Sequence, residues 1–295
     1  MTLRFGLAAN RRHHEHAGSA LLQWASGCAT QLTGLDIKFI AVGRTCDALM
    51  TGLGPCMEPY LERYPYGRDG GLMRLVSLVA GGTENSVPID GVIYLIDPVD
   101  ASSTFPEALA LKRQCVTHRK PFISTLAGAR EWIEVERIHA GLEPDTQTHM
   151  LTGIDNQVVA MIAHDALKAA MLDFADAHFD VLSRFSRRVA TGTTGHQLND
   201  LAWSRGWPKG EVWVDRYKSG PLGGDAQIAE LVLDRRCQRV LFFEDPHVAR
   251  QHEADIQLLE RAVCTVGEYA ICANTPEMAH RWVTAAERCS SRASC

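Results

Sequence analysis

Several features are missing from this sequence of 295 residues, and each absence argues against a class of protein. No apolar run approaches the ~20 residues that a membrane-spanning helix needs. Positive charge is not in excess, since 30 Lys and Arg stand against 35 Asp and Glu, and a net charge of −5 argues against bulk attraction to nucleic acid. An anionic substrate would therefore have to be bound by local groups.

The nine cysteines include no Cys-x-x-Cys pair, and their odd number argues against a complete disulfide framework. The first residues read as a strand and lack the apolar core of a signal peptide, so we expect reduced thiols in a cytoplasmic protein. The histidine-rich cluster at residues 13–16 predicts a solvated helix start rather than a metal site, because adjacent residues on a helix do not share a face. No metal site is predicted elsewhere.

What is present is an alternation of strand and helix patterns that runs through the chain twice. Apolar strands begin at Leu3 and at Val158, and a Gly-Gly pair opens a helix in each half, at Gly70 and at Gly223. Strands that alternate with helices favour a parallel sheet covered on both faces. We predict an α/β fold of two tandem Rossmann-like three-layer domains, each with a mostly parallel sheet of about five strands flanked by helices.

The predicted domains span residues 1–140 and 156–295, and the polar stretch 141–155 between them is predicted to be a linker. Right-handed crossovers place the functional loops of such a sheet at the carboxyl ends of its strands. Three polar segments of the second half fall at these positions.

The first of these segments is Thr191-Gly192-Thr193-Thr194-Gly195, whose glycines allow tight turns and whose threonines offer hydroxyl donors. At a helix start, free N–H groups and a partial positive charge would add to them, which suits a phosphate dianion. Thr194 could instead merely cap the following helix. Lys168, one turn after His164, would supply a positive charge, although a single lysine on a helix is more often solvated.

The second segment runs from Ser219 to Asp225 and contains Gly220, Gly223 and Gly224. Ser219 and the Gly220 amide could donate to a phosphate, and the glycine pair would let Asp225 sit in a turn over the site. Asp225 could also be an ordinary N-cap for the next helix.

The third segment carries Asp245, His252 and Asp255, and His164 and Asp165 stand at the end of an earlier strand. His252 and Asp255 are three residues apart, so they can face each other at a helix start, where a carboxylate sets the tautomer of an imidazole. Taken alone, such a pair is more often a helix cap or a surface ion pair.

In their order and spacing these motifs resemble the methylglyoxal synthase family over roughly residues 156–285. The segments that carry the resemblance are Met161 to Asp165 with Lys168, Ala190 to Gly195, Ser219 to Asp225, Phe242 to Pro246, and His252 to Asp255. The resemblance implies a lyase that converts dihydroxyacetone phosphate into methylglyoxal and inorganic phosphate through an enediolate. It implies no metal and no organic cofactor.

The resemblance also implies roles for individual residues. Asp225 would be the base that removes a proton from the carbon beside the carbonyl, and His252 with His164 would stabilise the enediolate. Asp245 and Asp255 would orient these groups. The residues implied in substrate and phosphate binding are His164, Asp165, Lys168, Thr191, Gly192, Thr193, Thr194, Ser219 and Gly220.

The two halves are not chemically equal. Aligned by their landmarks, His164 and Asp225 of the second half fall on Ala9 and Leu72, so we expect the first half to be catalytically silent. Glu244 stands where the family usually has Trp, and a carboxylate near the site would weaken dianion binding or shift a neighbouring pKa.

The family's homohexamer implies that this chain forms a homo-oligomer, in which the silent half replaces a neighbouring subunit and three chains imitate six domains. Two other functions stay open. The chain could be a non-catalytic sensor of phosphate or a sugar phosphate, or an isomerase or aldol-type enzyme acting on the same triose phosphate. The full set of acid–base residues favours an enzyme, because a pure binder has no need of Asp225.

Overall fold

A computed structural model describes residues 2–15, 18–144, 151, 153–247 and 253–293. The chain divides into two compact units, Met1–Asp145 and Thr146–Cys295. The division falls inside the segment 141–155, and the described part of that segment includes the start of a short 3-10 helix at Ile154–Asn156.

Strands and helices alternate along the first domain. Its strands are β1 (Leu3–Ala9), β2 (Ile37–Val42), β3 (Leu61–Tyr64), β4 (Gly91–Leu95) and β5 (Phe122–Ile123). Its described helices are α1 (Ala20–Cys28), α2 (Gly43–Leu53), α3 (Gly71–Val79), α4 (Pro106–Thr117) and α5 (Leu126–His139).

The second domain repeats this alternation. Its strands are β6 (Val158–Ala163), β7 (Arg187–Ala190), β8 (Asp215–Arg216), β9 (Arg239–Phe243) and β10 (Ile271–Ala273). Its described helices are α6 (Lys168–Ala177), α7 (Phe179–Arg184), α8 (Gly192–Ser204), α9 (Gly224–Leu233), α10 (Glu253–Thr265) and α11 (Pro276–Ala293).

Each domain has a five-stranded sheet in which all pairings are parallel, with the order β3-β2-β1-β4-β5 in the first and β8-β7-β6-β9-β10 in the second. The two orders are the same when equivalent strands are compared, and the α/β prediction is confirmed. The chain moves outward from β6 through β7 and β8, then returns to the other side of β6 with β9. Such a reversal opens a crevice at the carboxyl ends of the central strands, where ligands of open α/β sheets bind.

The central strands are buried because helices cover both faces of each sheet. Every residue of β4 and of β9 is buried, as expected for parallel strands that are shielded on both sides. Fully buried aromatic side chains such as Phe5, Phe174 and Phe243 each contribute about 1.5–3 kcal/mol of hydrophobic stabilisation. The buried Arg239 of β9 places its guanidinium carbon 4.0 Å from the centre of the Trp282 ring.

The strand registers establish which residues of the two domains are equivalent. Ala9 pairs with Leu95 and Ala163 pairs with Phe243, and each partner lies two residues before an Asp-Pro pair. The residue after each of these alanines donates its N–H to the same partner carbonyl, Asn10 at 2.9 Å and His164 at 3.1 Å. His164 is therefore equivalent to Asn10, and the alignment with Ala9 is wrong by one residue.

The neighbouring strands extend this equivalence. Ala41 and Ala190 hold matching positions in the ladders on both sides of β2 and β7. Counting from these pairs, the equivalent residues are His14 and Lys168, Gly43 and Gly192, Thr45 and Thr194, Tyr66 and Ser219, Gly70 and Gly223, and Leu72 and Asp225.

Four further expectations concern the described part of the chain. None of its helices combines the length and apolar character needed to cross a bilayer, and none of its His, Cys, Asp and Glu residues form a group of three that could hold a metal ion. No disulfide joins the eight cysteines of this part. Within the predicted solvated cluster at residues 13–16, His14 is instead half-buried, with its Nε2 3.2 Å from Thr45 Oγ1, and residue 16 lies outside the described part.

Candidate active site

A cavity of about 530 Å3 opens where β6, β7, β8 and β9 end, at the carboxyl edge of the second sheet. Most of the residues predicted for the site line it together, and they are His164, Asp165, Lys168, Thr191, Thr193, Thr194, Ser219, Gly220, Asp225 and Asp245. Gly192 is not among the lining residues but holds two of the loops together. His252 lies outside the described residues, and Asp255 belongs to α10, where its side chain is not described.

The threonine-rich segment forms the first turn of α8. The helix begins at Gly192, and Thr191 is its N-cap without a side-chain hydrogen bond. The alternative in which Thr194 caps the helix is therefore wrong, because Thr194 is the third residue inside it. The N–H groups of this first turn have no acceptor within the helix, and they point with the positive end of the helix dipole toward the cavity end of α8.

The hydroxyl of Thr194 is buried and has no hydrogen-bond partner among the residues that the structure describes. The residue is 2% exposed, and its Oγ1 is buried at the lining of the cavity. An unsatisfied buried hydroxyl costs about 1–3 kcal/mol, so this arrangement favours a ligand that supplies an acceptor. The equivalent Thr45 has its partners inside the protein, since its Oγ1 accepts from the Ala9 N–H at 3.2 Å and lies 3.2 Å from His14 Nε2.

Gly192 brings the first two predicted segments into contact. Its N–H donates to the carbonyl oxygen of Lys218 at 3.0 Å. A Cβ at this position would lie 2.9 Å from the backbone nitrogen of Ser219, which is closer than side chains tolerate. The absence of a side chain at Gly192 therefore lets the loop after β8 pack directly against the start of α8.

Asp225 sits at the start of α9 rather than at its cap. The N-cap is Gly223, in the left-handed conformation with φ of 89°, and the helix begins at Gly224. Asp225 is the second helical residue, so the alternative in which it is the N-cap is wrong. Its carboxylate lies over Gly220, because a Cβ built there would be 2.8 Å from Asp225 Oδ2. The carboxylate thereby faces the loop that is predicted to hold a phosphate.

The tautomer of His164 follows from one backbone contact. The N–H of Asp245 donates to His164 Nδ1 at 2.8 Å, so Nδ1 carries no proton and the neutral ring carries its proton on Nε2. The ring also packs edge-on against Phe242, with centroids 5.0 Å apart. His164 is therefore held as a hydrogen-bond donor at Nε2, which suits the stabilisation of a developing oxyanion.

Lys168 is the only cationic side chain among the described residues that line the cavity. Its Nζ donates to Asp165 Oδ1 at 2.5 Å. The Asp165 side chain is 95% exposed and that of Lys168 is 21% exposed, so the pair lies at the rim. With one ammonium available, a dianion would depend on hydroxyl and backbone N–H donors for most of its hydrogen bonds.

Asp245 stabilises a turn, and Asp97 does the same at the equivalent position of the first domain. Asp245 Oδ1 accepts from the N–H of His247 at 2.9 Å, and Asp97 in the first domain accepts from Val99 in the same way at 2.9 Å. The Asp-Pro turn therefore forms in both domains. In the second domain this turn also delivers the N–H that orients His164.

Glu244 does not line the cavity. The residue is buried, and its Oε1 accepts a hydrogen bond of 2.5 Å from Nδ2 of Asn274, next to the end of β10. Its carboxylate is therefore bonded to Asn274 rather than lining the cavity, and the expected effect of its charge on dianion binding stays a prediction.

Two supporting side chains escaped the sequence analysis. Gln227 of α9 accepts the N–H of Lys218 at its Oε1 over 3.1 Å and so ties the loop before Ser219 to the helix of Asp225. Phe242 supports the His164 ring and lines the cavity. The only signal in the sequence was that each lies close to a residue already singled out. Gln227 is two residues after Asp225, and Phe242 is two residues before Glu244 in an apolar strand.

Comparison with known proteins finds relatives of part of the chain. No family model matches the chain. A protein named methylglyoxal synthase from Thermus thermophilus is 40% identical over 118 residues, which is 40% of this chain and 86% of the relative. One of the same name from Agrobacterium fabrum is 42% identical over 103 residues, 35% of this chain and 75% of the relative.

Among solved structures, the crystal structure of methylglyoxal synthase from Elizabethkingia anophelis is 30% identical, with a TM-score of 0.35. It matches 43% of this chain and 76% of its own. All three similarities extend over less than half of the present chain.

Proposed function

The chain belongs to the methylglyoxal synthase family, and from this membership we propose that its second domain converts dihydroxyacetone phosphate into methylglyoxal and inorganic phosphate. One observation carries the proposal most directly. Asp225, the neutral His164 and the first turn of α8 line one cavity, so a base, an oxyanion donor and an anion cradle are within reach of one small substrate.

The phosphate group would bind at the start of α8. The N–H groups of Thr193 and Thr194, the buried Thr194 hydroxyl and the Ser219 loop supply donors, and Lys168 supplies a positive charge. This binding would hold the carbon chain of the substrate beneath Asp225. Anchoring through the phosphate turns proton transfer into a step between groups that are already positioned.

Asp225 would then take a proton from the carbon that bears the hydroxyl group. The electron pair moves to the carbonyl oxygen and gives an enediolate, which Nε2–H of His164 stabilises by donation. The enediolate expels phosphate as the C–O bond breaks, and the enol that remains becomes methylglyoxal. His252 and Asp255 are proposed to complete the site, as the family resemblance implies.

Product analysis tests this function. Purified chain is mixed with dihydroxyacetone phosphate, and methylglyoxal and free phosphate are quantified together. We expect equal amounts of both, and a fall of about 100- to 10,000-fold in Asp225→Asn, since general bases typically contribute that much. Asp234→Asn, which changes an exposed carboxyl at the far end of α9, is the matched control and should retain the activity.

A phosphate-sensing protein is the second candidate, and the silent first half favours it. The first domain has Leu72 where the second has Asp225, so one of the two copies lacks the base. Saturable phosphate binding without any product from dihydroxyacetone phosphate would select the sensor. Release of glyceraldehyde phosphate in place of methylglyoxal would select an isomerase.

A further inference from the structure

The start of α8 and the loop from Lys218 to Gly223 form the proposed phosphate cradle of the second domain. The first domain repeats the backbone of this cradle. Helix α2 begins at Gly43, whose N–H donates to the Pro65 carbonyl at 3.2 Å, just as Gly192 donates to Lys218. Gly70 caps the next helix with φ of 79°, beside 89° for Gly223. The two loops of the cradle therefore have the same conformation and the same mutual contact in both domains.

Tyr66 fills this cradle in the first domain. It is equivalent to Ser219, and its ring lies so close to the start of α2 that a Cβ at Gly43 would be 2.7 Å from the ring carbons Cγ and Cδ1. The Tyr66 hydroxyl donates to Asp47 Oδ2 at 2.8 Å. The ring is thus held at both ends and covers the first turn of α2.

Two guanidinium groups border the same ring. The Cζ atoms of Arg63 and Arg68 lie 5.9 Å and 5.5 Å from its centroid, and Arg63 also pairs with Asp47. Positive charge is therefore present beside the ring, although that of Arg63 is balanced by Asp47. What excludes an anion here is occupancy by the ring rather than a lack of cationic groups.

His14 occupies the position of Lys168 and satisfies the threonine inside the cradle. Its Nε2 lies 3.2 Å from Oγ1 of Thr45, a residue that is 1% exposed. Burial, together with the nearby His13 and Arg44, lowers the pKa of His14 to about 4, so the ring is neutral where the second domain has an ammonium. The Thr45 hydroxyl therefore has hydrogen-bond partners within its own domain, whereas the equivalent Thr194 hydroxyl has none among the described residues.

We infer that the first domain holds a closed anion site, in which Tyr66 and His14 occupy the space that the second domain leaves open for a phosphate group. The inference rests on the proposed function, because that function is what assigns a phosphate group to the cradle of the second domain. The closed site makes the intact chain bind one phosphate, and opening it creates a second site for a phosphate dianion. No catalysis follows from opening, because Leu72 supplies no base.

Calorimetric titration of the full-length chain with inorganic phosphate tests the inference. The opened variant combines Tyr66→Ser with His14→Lys, which installs the residues of the second domain. Tyr66→Phe is the matched control, since it keeps the ring and removes only the hydroxyl. We expect one phosphate per chain for the wild type and for Tyr66→Phe, and two for the opened variant.

A second series separates this inference from the proposed function. Thr194→Val with Lys168→Met weakens the second cradle, and in that background the opened variant should bind one phosphate while the parent binds none. A wild type that binds no phosphate would contradict the proposed function, and the gain of a site on opening would still support the closed cradle. An opened variant that unfolds at the wild-type temperature and gains no site would overturn it.

Should the double substitution prevent folding, Tyr66→Ala alone removes the ring and leaves His14 in place. This variant should bind phosphate more weakly than the opened variant but measurably, in the background with the weakened second cradle. Its failure to bind, with the fold intact by circular dichroism, would likewise overturn the inference.

Discussion

Two equivalent threonines, Thr45 and Thr194, differ only in what surrounds their hydroxyl groups. Both are buried, but the Thr45 hydroxyl has a backbone donor and an imidazole beside it, whereas the Thr194 hydroxyl has no partner in the described part of the chain. Each therefore serves as the control for the other. We expect the hydroxyl without a partner, that of Thr194, to be the one that bonds to a ligand.

Replacing each threonine by valine should have opposite effects on stability. Thr194→Val removes an unsatisfied hydroxyl, and we expect the free energy of unfolding to rise by about 1 kcal/mol in the absence of ligand. Thr45→Val leaves a buried N–H without its acceptor and should lower it by about 1–3 kcal/mol. Urea denaturation measures both.

The same two threonine-to-valine variants should also differ in their effect on KM. Thr194→Val should raise KM for dihydroxyacetone phosphate about 10- to 100-fold, because hydrogen bonds to charged groups contribute about 1.5–3 kcal/mol. Thr45→Val should leave KM unchanged. Equal destabilisation by the two substitutions would contradict the open state of the Thr194 hydroxyl.

His14 predicts a dependence of stability on pH. Its pKa falls from the ordinary value of 6.5 to about 4 in the folded chain, mainly through burial. Between these values the unfolded chain binds more protons at this residue, so its contribution to stability is complete above about pH 6.5 and is lost as the pH falls toward 4. Between pH 7 and pH 4 the free energy of unfolding should fall more steeply in the wild type than in His14→Gln. Parallel curves for the two proteins would contradict the burial of a neutral His14.

At the scale of elements, the alternation of strands and helices was predictable because the central strands β1, β4, β6 and β9 are short apolar runs and a Gly-Gly pair marks the start of α3 and of α9. Helix starts were less predictable. Thr194 and Asp225 are residue types that favour caps, yet α8 and α9 begin earlier, where the contact of Gly192 with Lys218 and the left-handed Gly223 set the backbone. Long-range packing decided these starts, and local preference did not reveal it.

Register was the second limit at this scale. His164 is one residue beyond its position in the sequence alignment, because only the pairing of β6 with β9 defines where the strand ends. A shift of one residue in a strand also reverses the face on which a side chain lies. Glu244 likewise bonds to Asn274 next to the end of β10, a long-range contact that the sequence could not indicate.

The start of α9 offers a sharp test of loop packing. A Cβ at Gly224 would overlap the carbonyl oxygen of Lys218, so Gly224→Ala should displace the Ser219 loop and lower the free energy of unfolding by about 2 kcal/mol or more. Gly27, the last but one residue of α1, is the matched control. Its nearest neighbour to a new Cβ is 3.6 Å away, and Gly27→Ala should stabilise the chain by about 0.5–1 kcal/mol through helix propensity.

Thermal unfolding with and without phosphate distinguishes the two glycine variants. Gly224→Ala should also lose the stabilisation that phosphate gives the wild type, since the loop is part of the proposed cradle. Gly27→Ala should retain it. An unaltered response of Gly224→Ala to phosphate would show that the loop position is not needed for binding.

At the scale of the whole molecule, the chain joins two copies of one fold of which one has the acid–base residues. The family's homohexamer leads us to expect three chains, with each first domain replacing one catalytic domain. Light scattering should give three times the mass of one chain over a range of concentrations. A mass equal to that of one chain throughout would contradict this assembly.

The paired glycines before α3 and α9 have a consequence for how related genes are counted. Gly70 and Gly223 are left-handed, and the glycine after each is packed so tightly on a carbonyl oxygen that no side chain fits, whether or not the domain has a base. These glycines are therefore retained for shape, and they mark the fold rather than the reaction. A survey that relied on glycine-rich loops would assign this gene two active sites, whereas the single position after the pair holds a carboxylate, Asp225, in one copy and an apolar side chain, Leu72, in the other.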